Sequence, residues 1–317
     1  MNNDQNRQPN HLTNSLIMVR PVDFGYNEQT GIDNEFQNKP KQGEKSQITK
    51  LAISEFDASV KILTEKGIEI LQLEKKHTNN RLPDAIFPNN WFSTQTNGNL
   101  IIYPMKTKNR KDEVQIEYLT QLLTDQGYKA SPLTDLRGSI GKIGVLEGTG
   151  SIVFHHPSQR LFAALSERCE QQAVDKFASQ FGYKLIKFNT QTLSGNPVYH
   201  TNVIMSCGQD FTVITQDIIQ SDQKQFVIDE LYNCVNQIIL INERQMTNNF
   251  CGNILQVKNK NHEPVIVMSN SAYQGFTNPQ LKLLEQHGDI AIINIPTIER
   301  IGGGSARCML AENFLPQ

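Results

Sequence analysis

The pattern that decides the fold lies in residues 148–189, GTGSIVFHHPSQRLFAALSERCEQQAVDKFASQFGYKLIKFN. Two apolar runs on either side of a turn at Pro157-Ser158 predict a pair of strands. Residues 167–181 predict a helix that ends before Gly182, and residues 183–189 predict a third strand. The stretch therefore predicts one supersecondary unit, in the order strand, turn, strand, helix, strand.

The same order of elements recurs along the chain, which indicates a repeat architecture. Further units are predicted to begin at NWFSTQT (90–96), HTNVIMSC (200–207) and CGNILQVKN (251–259). Their helices are predicted at residues 112–126, 223–236 and 278–287. Four units are thus complete within the chain.

The chain termini supply the parts of a fifth unit. A lone first strand, CMLAENF, is predicted at residues 308–314, and the N-terminus provides LIMVRPV (16–22), a helix at 54–66 and IEILQL (68–73). Joining the ends removes exposed sheet edges. The predicted fold is α/β, a five-bladed pseudo-symmetric α/β propeller of ββαβ units closed by the N- and C-terminal segments. A two-domain α+β protein is the alternative.

The domain organisation follows from polar stretches. Residues 1–14 lack an apolar core and are predicted to be a disordered tail, which leaves residues 15–317 as a single domain. Residues 27–47 are also polar and predict a long loop, which is either a lid or an insertion.

Charge and cysteine content limit the partners. The 317 residues include 30 Lys and Arg against 32 Asp and Glu, a net charge of −2, so no overall field favours nucleic acid or an anionic membrane. The 5 cysteines form no CxxC pair, and no apolar run predicts a signal peptide or membrane span. We therefore expect a cytoplasmic protein without nucleic-acid or membrane partners. The sequence is compatible with a homo-oligomer.

The residues suited to catalysis lie at or just before the first strands of the units. Cys308 follows IGGGSAR (301–307), where backbone N–H groups can approach a ligand and Arg307 favours a thiolate. His200 opens a predicted strand and is a natural proton carrier. In a radial array these equivalent positions converge on the axis, together with Asp84, Asn90 and Glu147.

Neither a metal nor a cofactor is predicted. His155-His156 lack a third ligand at a recognisable spacing, and HExxH is absent. The glycine run lacks the GxGxxG spacing and the Lys-Ser/Thr ending of a P-loop. A small-molecule substrate is therefore expected without a bound cofactor.

Four motifs together resemble the guanidino-group-modifying, or amidinotransferase-type, superfamily. They are DAIFPNNW (84–91), LEGTG (146–150), HTN (200–202) and GGGSARC (302–308). The superfamily includes arginine deiminases, dimethylarginine hydrolases, amidinotransferases and citrulline hydrolases. The resemblance covers roughly residues 16–314 and implies the pentein propeller fold.

The resemblance also implies roles for individual residues. Cys308 resembles the nucleophile, His200 the general acid and base, and Glu147 the carboxylate that orients His200. Asp84 resembles a substrate-binding carboxylate, and Arg110 and Arg168 occupy places where relatives bind the substrate α-carboxylate. From the residues alone, Glu147 and Asp84 would be turn or cap residues and the two arginines surface charges.

Two departures from the family pattern concern the substrate. Positions matching Asn90 and Asn202 are commonly Asp in guanidine-binding relatives. A guanidinium offers only donors, whereas a neutral ureido group offers an acceptor and donors, which an amide can match. The expected reaction is hydrolysis of citrulline to ornithine, ammonia and carbon dioxide through S-carbamoyl-Cys308. The alternative is that the two asparagines are ordinary turn residues with no part in substrate recognition.

Three other activities use the same fold or residues. An arginine deiminase or dihydrolase and an amidinotransferase would share every catalytic residue. The alternative that is not an enzyme is a noncatalytic pentein that binds a partner.

Overall fold

The computed structural model describes residues 11–74 and 80–317. The strands within these residues are short and are numbered in chain order. They are β1 (Ser15–Val19), β2 (Glu69–Leu73), β3 (Phe92–Thr94), β4 (Leu100–Ile102), β5 (Leu133–Asp135), β6 (Val153–His155), β7 (Arg160–Ala164), β8 (Lys184–Phe188), β9 (Met205–Cys207), β10 (Phe211–Ile214), β11 (Gln237–Leu240), β12 (Leu255–Lys258), β13 (Pro264–Ser269), β14 (Asp289–Ile293) and β15 (Ala311–Glu312).

The α-helices vary from single turns to one long helix near the N-terminus. They are α1 (Lys45–Glu65), α2 (Lys108–Lys111), α3 (Ile116–Asp125), α4 (Gly148–Ser151), α5 (Gln171–Phe181), α6 (Thr201–Ile204), α7 (Ser221–Tyr232), α8 (Glu243–Asn249), α9 (Asn270–Gly275), α10 (Asn278–Glu285) and α11 (Pro296–Gly302).

The described strands form five three-stranded sheets of the same topology. In each sheet the central strand pairs antiparallel with the first strand and parallel with the third. In the sheet of β6, β7 and β8, for example, Phe162 pairs with Val153 on one side and Ile186 on the other. A helix connects the two parallel strands, as a parallel crossover requires. The fold is therefore a mixed α/β fold of small repeated sheets.

The two chain ends meet in one of these sheets. Strand β15 pairs antiparallel with β1 at Ala311 and Ile17, and β1 pairs parallel with β2. First strands of different sheets also contact one another, namely β15 with β3, β6 with β9, and β9 with β12. The fifth unit is thus assembled from both termini.

Each long helix buries one apolar stripe against its sheet. In α5 the buried residues are Ala173, Val174, Phe177 and Ala178, at helical spacing. Gly182 ends α5 in the left-handed conformation, with a φ of 72°. This is the helix end predicted from the sequence.

Several boundaries differ from the sequence prediction. Helix α1 begins at Lys45, so it includes the end of the predicted loop, because Ile48, Ala52 and Phe56 bury a stripe that continues the helix. Helix α5 begins at Gln171 instead of residue 167. Helices α8, α9 and α11 were not predicted, although Asn242 and Gln245 form a capping box that marks the start of α8.

The predicted tail falls mainly outside the described residues. Residues 11–14 are described, and among them Thr13 is buried and forms hydrogen bonds through both its side chain and its backbone. Its hydroxyl donates to Ser15 O, and its carbonyl accepts from Lys258 N at 3.0 Å. The packed part of the chain therefore begins before residue 15. No helix in the described ranges has the length and apolar character needed to cross a membrane.

Candidate active site

The candidate residues lie on short turns that precede the first strands. Asn90 ends a 3₁₀ turn before β3, Glu147 precedes α4, His200 precedes α6, and Cys308 lies on a 3₁₀ turn before β15. These turns contact one another. The prediction that His200 opens a strand was wrong, because α6 intervenes before β9. Packing of the turns overrides the strand preference of HTNVIMSC.

Glu147 and His200 form a buried pair. Glu147 Oε2 accepts from His200 Nε2 at 2.9 Å, and Glu147 Oε1 accepts from the backbone N–H of Lys106 at 2.9 Å. Burial alone would raise the pKa of Glu147, but the charge of Arg168 and the His200 hydrogen bond hold it well below its usual range. An ionised Glu147 requires a proton on His200 Nε2, which leaves Nδ1 to accept one.

The protonation of His200 follows from its surroundings. Burial lowers the pKa of His200 below its usual value, although the hydrogen bond to Glu147 opposes this change. The imidazole is therefore neutral at neutral pH. It also packs against the Tyr199 ring, with centroids 4.6 Å apart.

Cys308 is buried and faces two side-chain amides. Asn202 Nδ2 lies 3.5 Å from its sulfur and Asn253 Nδ2 lies 3.3 Å away. Burial raises the pKa of Cys308 above its usual value, while hydrogen bonds from Ser305, Asn253 and Asn202 act in the opposite direction. The resting group is therefore a thiol at neutral pH.

Arg307 contributes less to this thiol than the sequence indicated. Its guanidinium donates to Leu310 O at 2.7 Å and pairs with Glu312 at 2.8 Å. The side chain is therefore held by other partners. Its charge is the weakest of the effects that lower the pKa of Cys308.

Asn253 was not identified from the sequence. It occupies the turn before β12, the position in the fourth unit that corresponds to His200 and Cys308 in theirs. The repeat itself was the available signal, because every other unit places a candidate residue there. The side chain is completely buried.

Asp84 is held by two side chains of the predicted loop. Asn27 Nδ2 and the Thr30 hydroxyl donate to Asp84 Oδ2 at 2.7 and 2.8 Å. Oδ1 is buried and has no hydrogen-bond partner among the described residues. Burial raises the pKa of Asp84, and the nearby Arg110 charge opposes the rise.

The side-chain amide of Asn90 has a hydrogen-bond partner for one of its two polar atoms. Its Oδ1 accepts from Arg110 Nη1 at 2.8 Å, whereas its Nδ2 is buried and finds no acceptor in the described part of the chain. A Cβ atom at Gly150 would collide with Asn90 Nδ2 and lie 2.8 Å from His200 Nδ1. Asn90 Nδ2 and His200 Nδ1 therefore both face the space beside Gly150.

Both predicted carboxylate-binding arginines reach the site, but each is already paired with a protein carboxylate. Arg110 Nε donates to Glu113 Oε2 at 2.9 Å and Nη2 donates to Phe87 O at 2.9 Å. Arg168 pairs with Asp33, and its Nη1 lies 3.7 Å from Glu147. Both arginines are therefore buried members of ion pairs, whereas residue type alone would suggest exposed surface charges.

Residues 27–38, which we call the strap, cover the site. Asn27 and Thr30 hold Asp84, and Asp33 pairs with Arg168 and, at 2.7 Å, with Lys106. Further bonds join it to the turn before Cys308. They run from Asn34 Nδ2 to Gly303 O and from Gln37 Nε2 to Gly302 O, at 3.4 and 3.1 Å.

The strap also adjoins an open cleft. Phe36 packs against Tyr199 and Phe250, with ring centroids 5.8 and 5.7 Å away. A cavity of about 660 Å³ is lined by Phe36 and Phe250 and by polar residues that include Glu35. Phe36 thus lines this cavity and contacts Tyr199, which in turn packs against His200.

The structure brings the predicted residues into one network. The members of the network that the sequence predicted are Cys308, His200, Glu147, Asp84, Asn90, Asn202, Arg110 and Arg168. The structure adds Asn253. Three buried polar atoms within it lack protein partners: Asp84 Oδ1, Asn90 Nδ2 and Asn202 Oδ1. Two are acceptors and one is a donor. Among the described residues, no group of three or more metal-ligating side chains comes together.

Comparison with known proteins relates this chain to enzymes of arginine metabolism. The family model described as N,N dimethylarginine dimethylhydrolase, eukaryotic, matches residues 20–315. No curated protein sequence matches the chain.

Solved structures share the fold. Apo ArgZ, an arginine dihydrolase from the ornithine-ammonia cycle in cyanobacteria, superposes with a TM-score of 0.70 at 15% identity, covering 95% of this chain and 41% of ArgZ. This chain thus spans about two fifths of full-length ArgZ. The substrate-bound N-terminal domain of ArgZ gives 0.70 at 15% identity, covering 94% and 97% of the two chains.

A third solved structure has citrulline bound. It is a cysteine-to-serine variant of the dimethylarginine hydrolase DDAH from Pseudomonas aeruginosa. It superposes with a TM-score of 0.64 at 14% identity, covering 95% of this chain and 99% of that one. At these identities the similarity concerns the fold.

Proposed function

Since this chain belongs to the N,N-dimethylarginine dimethylhydrolase family of the pentein, guanidino-group-modifying superfamily, we propose that it is a cysteine hydrolase of citrulline. The products are ornithine, ammonia and carbon dioxide. We further propose that its five sheets close as a five-bladed propeller, with the turns before the first strands around the axis. The meeting of both termini in one sheet supports this closure.

The orientation of the Asn90 amide carries the substrate assignment. Amide oxygen and nitrogen are distinguished by their hydrogen-bond partners. Arg110 offers only donors, so the Asn90 oxygen must face it and Nδ2 must face the site. A free buried donor matches the carbonyl of a ureido group. It does not match a guanidinium, which has no acceptor.

The two free acceptors complete the match. A ureido group presents N–H donors on both sides of its carbonyl carbon, and Asp84 Oδ1 and Asn202 Oδ1 are unpartnered acceptors in the same site. A buried polar atom without a partner destabilises the empty site by about 1–3 kcal/mol, which a complementary substrate recovers. The three atoms thus supply one donor and two acceptors to a neutral substrate.

The proposed reaction begins from a neutral thiol and a neutral imidazole. The Cys308 proton passes to His200 Nδ1, and the thiolate attacks the ureido carbon. The tetrahedral adduct collapses when His200 protonates the δ-amine of ornithine and the C–N bond breaks. Glu147 stabilises the imidazolium that exists between these steps.

Water completes the cycle. His200 Nδ1, neutral again, takes a proton from a water molecule that attacks the S-carbamoyl carbon. The C–S bond breaks, Cys308 leaves as a thiolate and is reprotonated, and the carbamate released decomposes to ammonia and carbon dioxide. No redox partner is required.

Arginine dihydrolysis is the second candidate. Its support is the similarity to ArgZ across 94–95% of this chain. Such an enzyme uses the same residues but releases ammonia from arginine first and attacks the resulting ureido group again. Citrulline hydrolysis is therefore its second half, and the two candidates differ in the first substrate.

The test is nuclear magnetic resonance of the purified protein with equal citrulline, arginine and N,N-dimethylarginine. We expect citrulline to fall and ornithine to rise while the guanidines persist. Loss of arginine to ornithine would indicate a dihydrolase, and loss of arginine with citrulline accumulating would indicate a deiminase. No change in any substrate would favour a transferase or a binding protein.

Two variants test the nucleophile in the same assay. C308A should abolish turnover, because no other group can form the covalent intermediate. C234A is the matched control, since Cys234 is partly exposed and lies just after α7. Near-native turnover by C308A would show that the nucleophile is another residue.

A further inference from the structure

The side-chain amide of Asn253 has a fixed orientation toward Cys308. Its Nδ2 donates to the backbone oxygen of Asn202 at 2.8 Å, a contact that Oδ1 could not make. The second hydrogen of the same nitrogen is left for the Cys308 sulfur at 3.3 Å. Asn202 Nδ2 approaches that sulfur at 3.5 Å. Two amide nitrogens thus converge on one sulfur atom, and the resting thiol in turn donates to Asn253 Oδ1 at 3.6 Å.

We propose that Asn253 is a catalytic residue whose amide, together with that of Asn202, donates hydrogen bonds to the Cys308 sulfur and stabilises the attacking thiolate. The inference rests on Cys308 being the nucleophile of the proposed function. It assigns the fourth unit a part in the chemistry. It also gives Asn202 a second role beside substrate recognition.

The site needs these donors because no cation contacts the sulfur. The Arg307 guanidinium is held by Glu312, and the described residues include no hydrogen bond between the His200 ring and Cys308. The hydroxyl of Tyr199, which faces the same space, donates to Gly303 O. Amides are therefore the donors that reach the sulfur.

Burial increases the need for such donors. It raises the pKa of Cys308, and the hydrogen bonds from the Ser305 backbone, Asn253 and Asn202 oppose that rise. A neutral ureido substrate brings no positive charge to help, so the protein itself must stabilise the thiolate. Hydrogen bonds to a charged acceptor are the stronger ones, which suits two amides to this task.

A purely structural role for Asn253 is the alternative. Its side chain ties the fourth unit to the third through Asn202 O, and its backbone oxygen accepts from Arg307 N at 3.4 Å. A side-chain substitution leaves the backbone link in place. The two roles differ in one respect: loss of a thiolate donor makes Cys308 harder to ionise, whereas loss of a structural link alone does not.

The experiment is a pH titration of the ultraviolet absorbance of the thiolate. Each variant is measured against the same variant carrying C308S, so that only Cys308 contributes. We expect N253A to move the midpoint up by about 1 pH unit, which is about tenfold less thiolate at a given lower pH. N253D keeps the shape of the side chain and should move the midpoint at least as far, because a carboxylate repels a thiolate.

N249A is the matched control. Asn249 also donates to a backbone carbonyl, that of Ser271 at 3.2 Å, but it has no contact with the sulfur. Its midpoint should stay at the wild-type value. Catalysis provides a second readout: N253A should lower kcat, and the pH dependence of kcat should move in the same direction as the midpoint.

An unchanged midpoint in N253A would overturn the proposal, and a fall in kcat would then reflect a structural role. If N253A does not fold, N253L, which is close to asparagine in size and cannot donate a hydrogen bond, is measured in its place. No substrate enters the titration, so its outcome is independent of whether citrulline is hydrolysed. Inactivity toward citrulline with shifted midpoints would contradict only the proposed substrate.

Discussion

Arg110 determines which atom of Asn90 faces the site. Its Nη1 donates to Asn90 Oδ1 at 2.8 Å, and Glu113, buried beside it, holds its Nε at 2.9 Å. Burial raises the pKa of Glu113, to about 8, against the opposing charge of Arg110. Arg110 offers only donors whatever the protonation state of Glu113, so the oxygen of Asn90 must face it. Asn90 is therefore a fixed donor.

N90D tests this donor. The aspartate would still accept from Arg110, but its second oxygen would face the ureido oxygen and repel it. We expect kcat/KM for citrulline to fall by about 100-fold or more, as expected for losing a hydrogen bond and gaining an unpaired charge. The ratio of arginine to citrulline turnover should rise, because a guanidinium offers only donors.

N97D is the control for N90D. Asn97 lies on an exposed turn, and its Oδ1 accepts from Asn99 N at 3.0 Å, a bond that aspartate preserves. It adds the same charge away from the site and should leave both substrates unaffected. Equal citrulline turnover by N90D and N97D would contradict the donor role.

G150A tests the space shared by Asn90 and His200. The added methyl would collide with Asn90 Nδ2 and lie 2.8 Å from His200 Nδ1, so one of them must move. We expect kcat to fall by about 100-fold, since a misplacement of about 1 Å costs this much in a preorganised site. Steady-state kinetics and a thermal melt give activity and stability separately.

G138A is the matched control, because a Cβ there meets no atom within 4 Å. It makes the same chemical change in open space. Its activity should equal that of the wild type. An active G150A would show that the positions of Asn90 and His200 beside residue 150 are not critical for catalysis.

The sequence predicted the order of elements well because the signal is local. Runs such as RLFAALS, the glycine after α5 and the apolar stripe of residues 173–178 each report one element without reference to the rest of the chain. The pairing of β15 with β1 followed from an unmatched strand at each end. The repeat of the unit thus predicted a long-range pairing that no single stretch of sequence indicates.

The missed features depend on long-range contacts. The turns α4 and α6 precede their strands because they pack against one another, although VFH and MSC themselves are strands. The contact between Asn253 and Cys308 joins residues from different units. The strap is polar in sequence because its side chains bind buried charges, and such binding has no periodicity to detect.

E147Q tests the charge that anchors His200. The glutamine still accepts a hydrogen bond, but Arg168 loses part of its charge compensation in a buried setting. We expect a loss of about 3 kcal/mol in the free energy of unfolding at neutral pH, as for broken buried pairs. Turnover should fall as well, because the His200 imidazolium loses its counter-ion.

The stability loss should depend on pH in a defined direction. The folded-state pKa of Glu147 is lowered, so its contribution is fully present above the ordinary value of 4.5 and is lost as pH falls toward the lowered value. The gap between wild type and E147Q should therefore narrow in acid. Urea denaturation between about pH 7 and about pH 3 measures it.

E170Q, a substitution at an exposed position two residues after Arg168, is measured beside it as a control for the loss of one negative charge. A gap between wild type and E147Q that stayed constant with pH would show that Glu147 is not ionised in the folded protein.

D33N tests what holds the strap over the site. Asp33 pairs with Arg168 and Lys106, and burial, which alone raises its pKa, is outweighed by these cations, so the carboxyl is ionised. Removing the charge leaves Arg168 with weaker charge compensation and leaves Lys106 with Glu167 as its carboxylate partner. We expect amide hydrogen exchange in residues 27–38 to become about tenfold faster, because the opening of a segment follows its local stability.

E35Q is the matched control, since Glu35 lies on the same strap, is exposed, and accepts from the Ser194 hydroxyl at 2.7 Å, as a glutamine can. Exchange in the strap should be unchanged in E35Q, and exchange in β7 should be unchanged in both variants. Equal strap exchange in D33N and the wild type would mean that the hydrogen bonds of Asn27 and Thr30 and the packing of Phe36 hold the segment without the Asp33 charge.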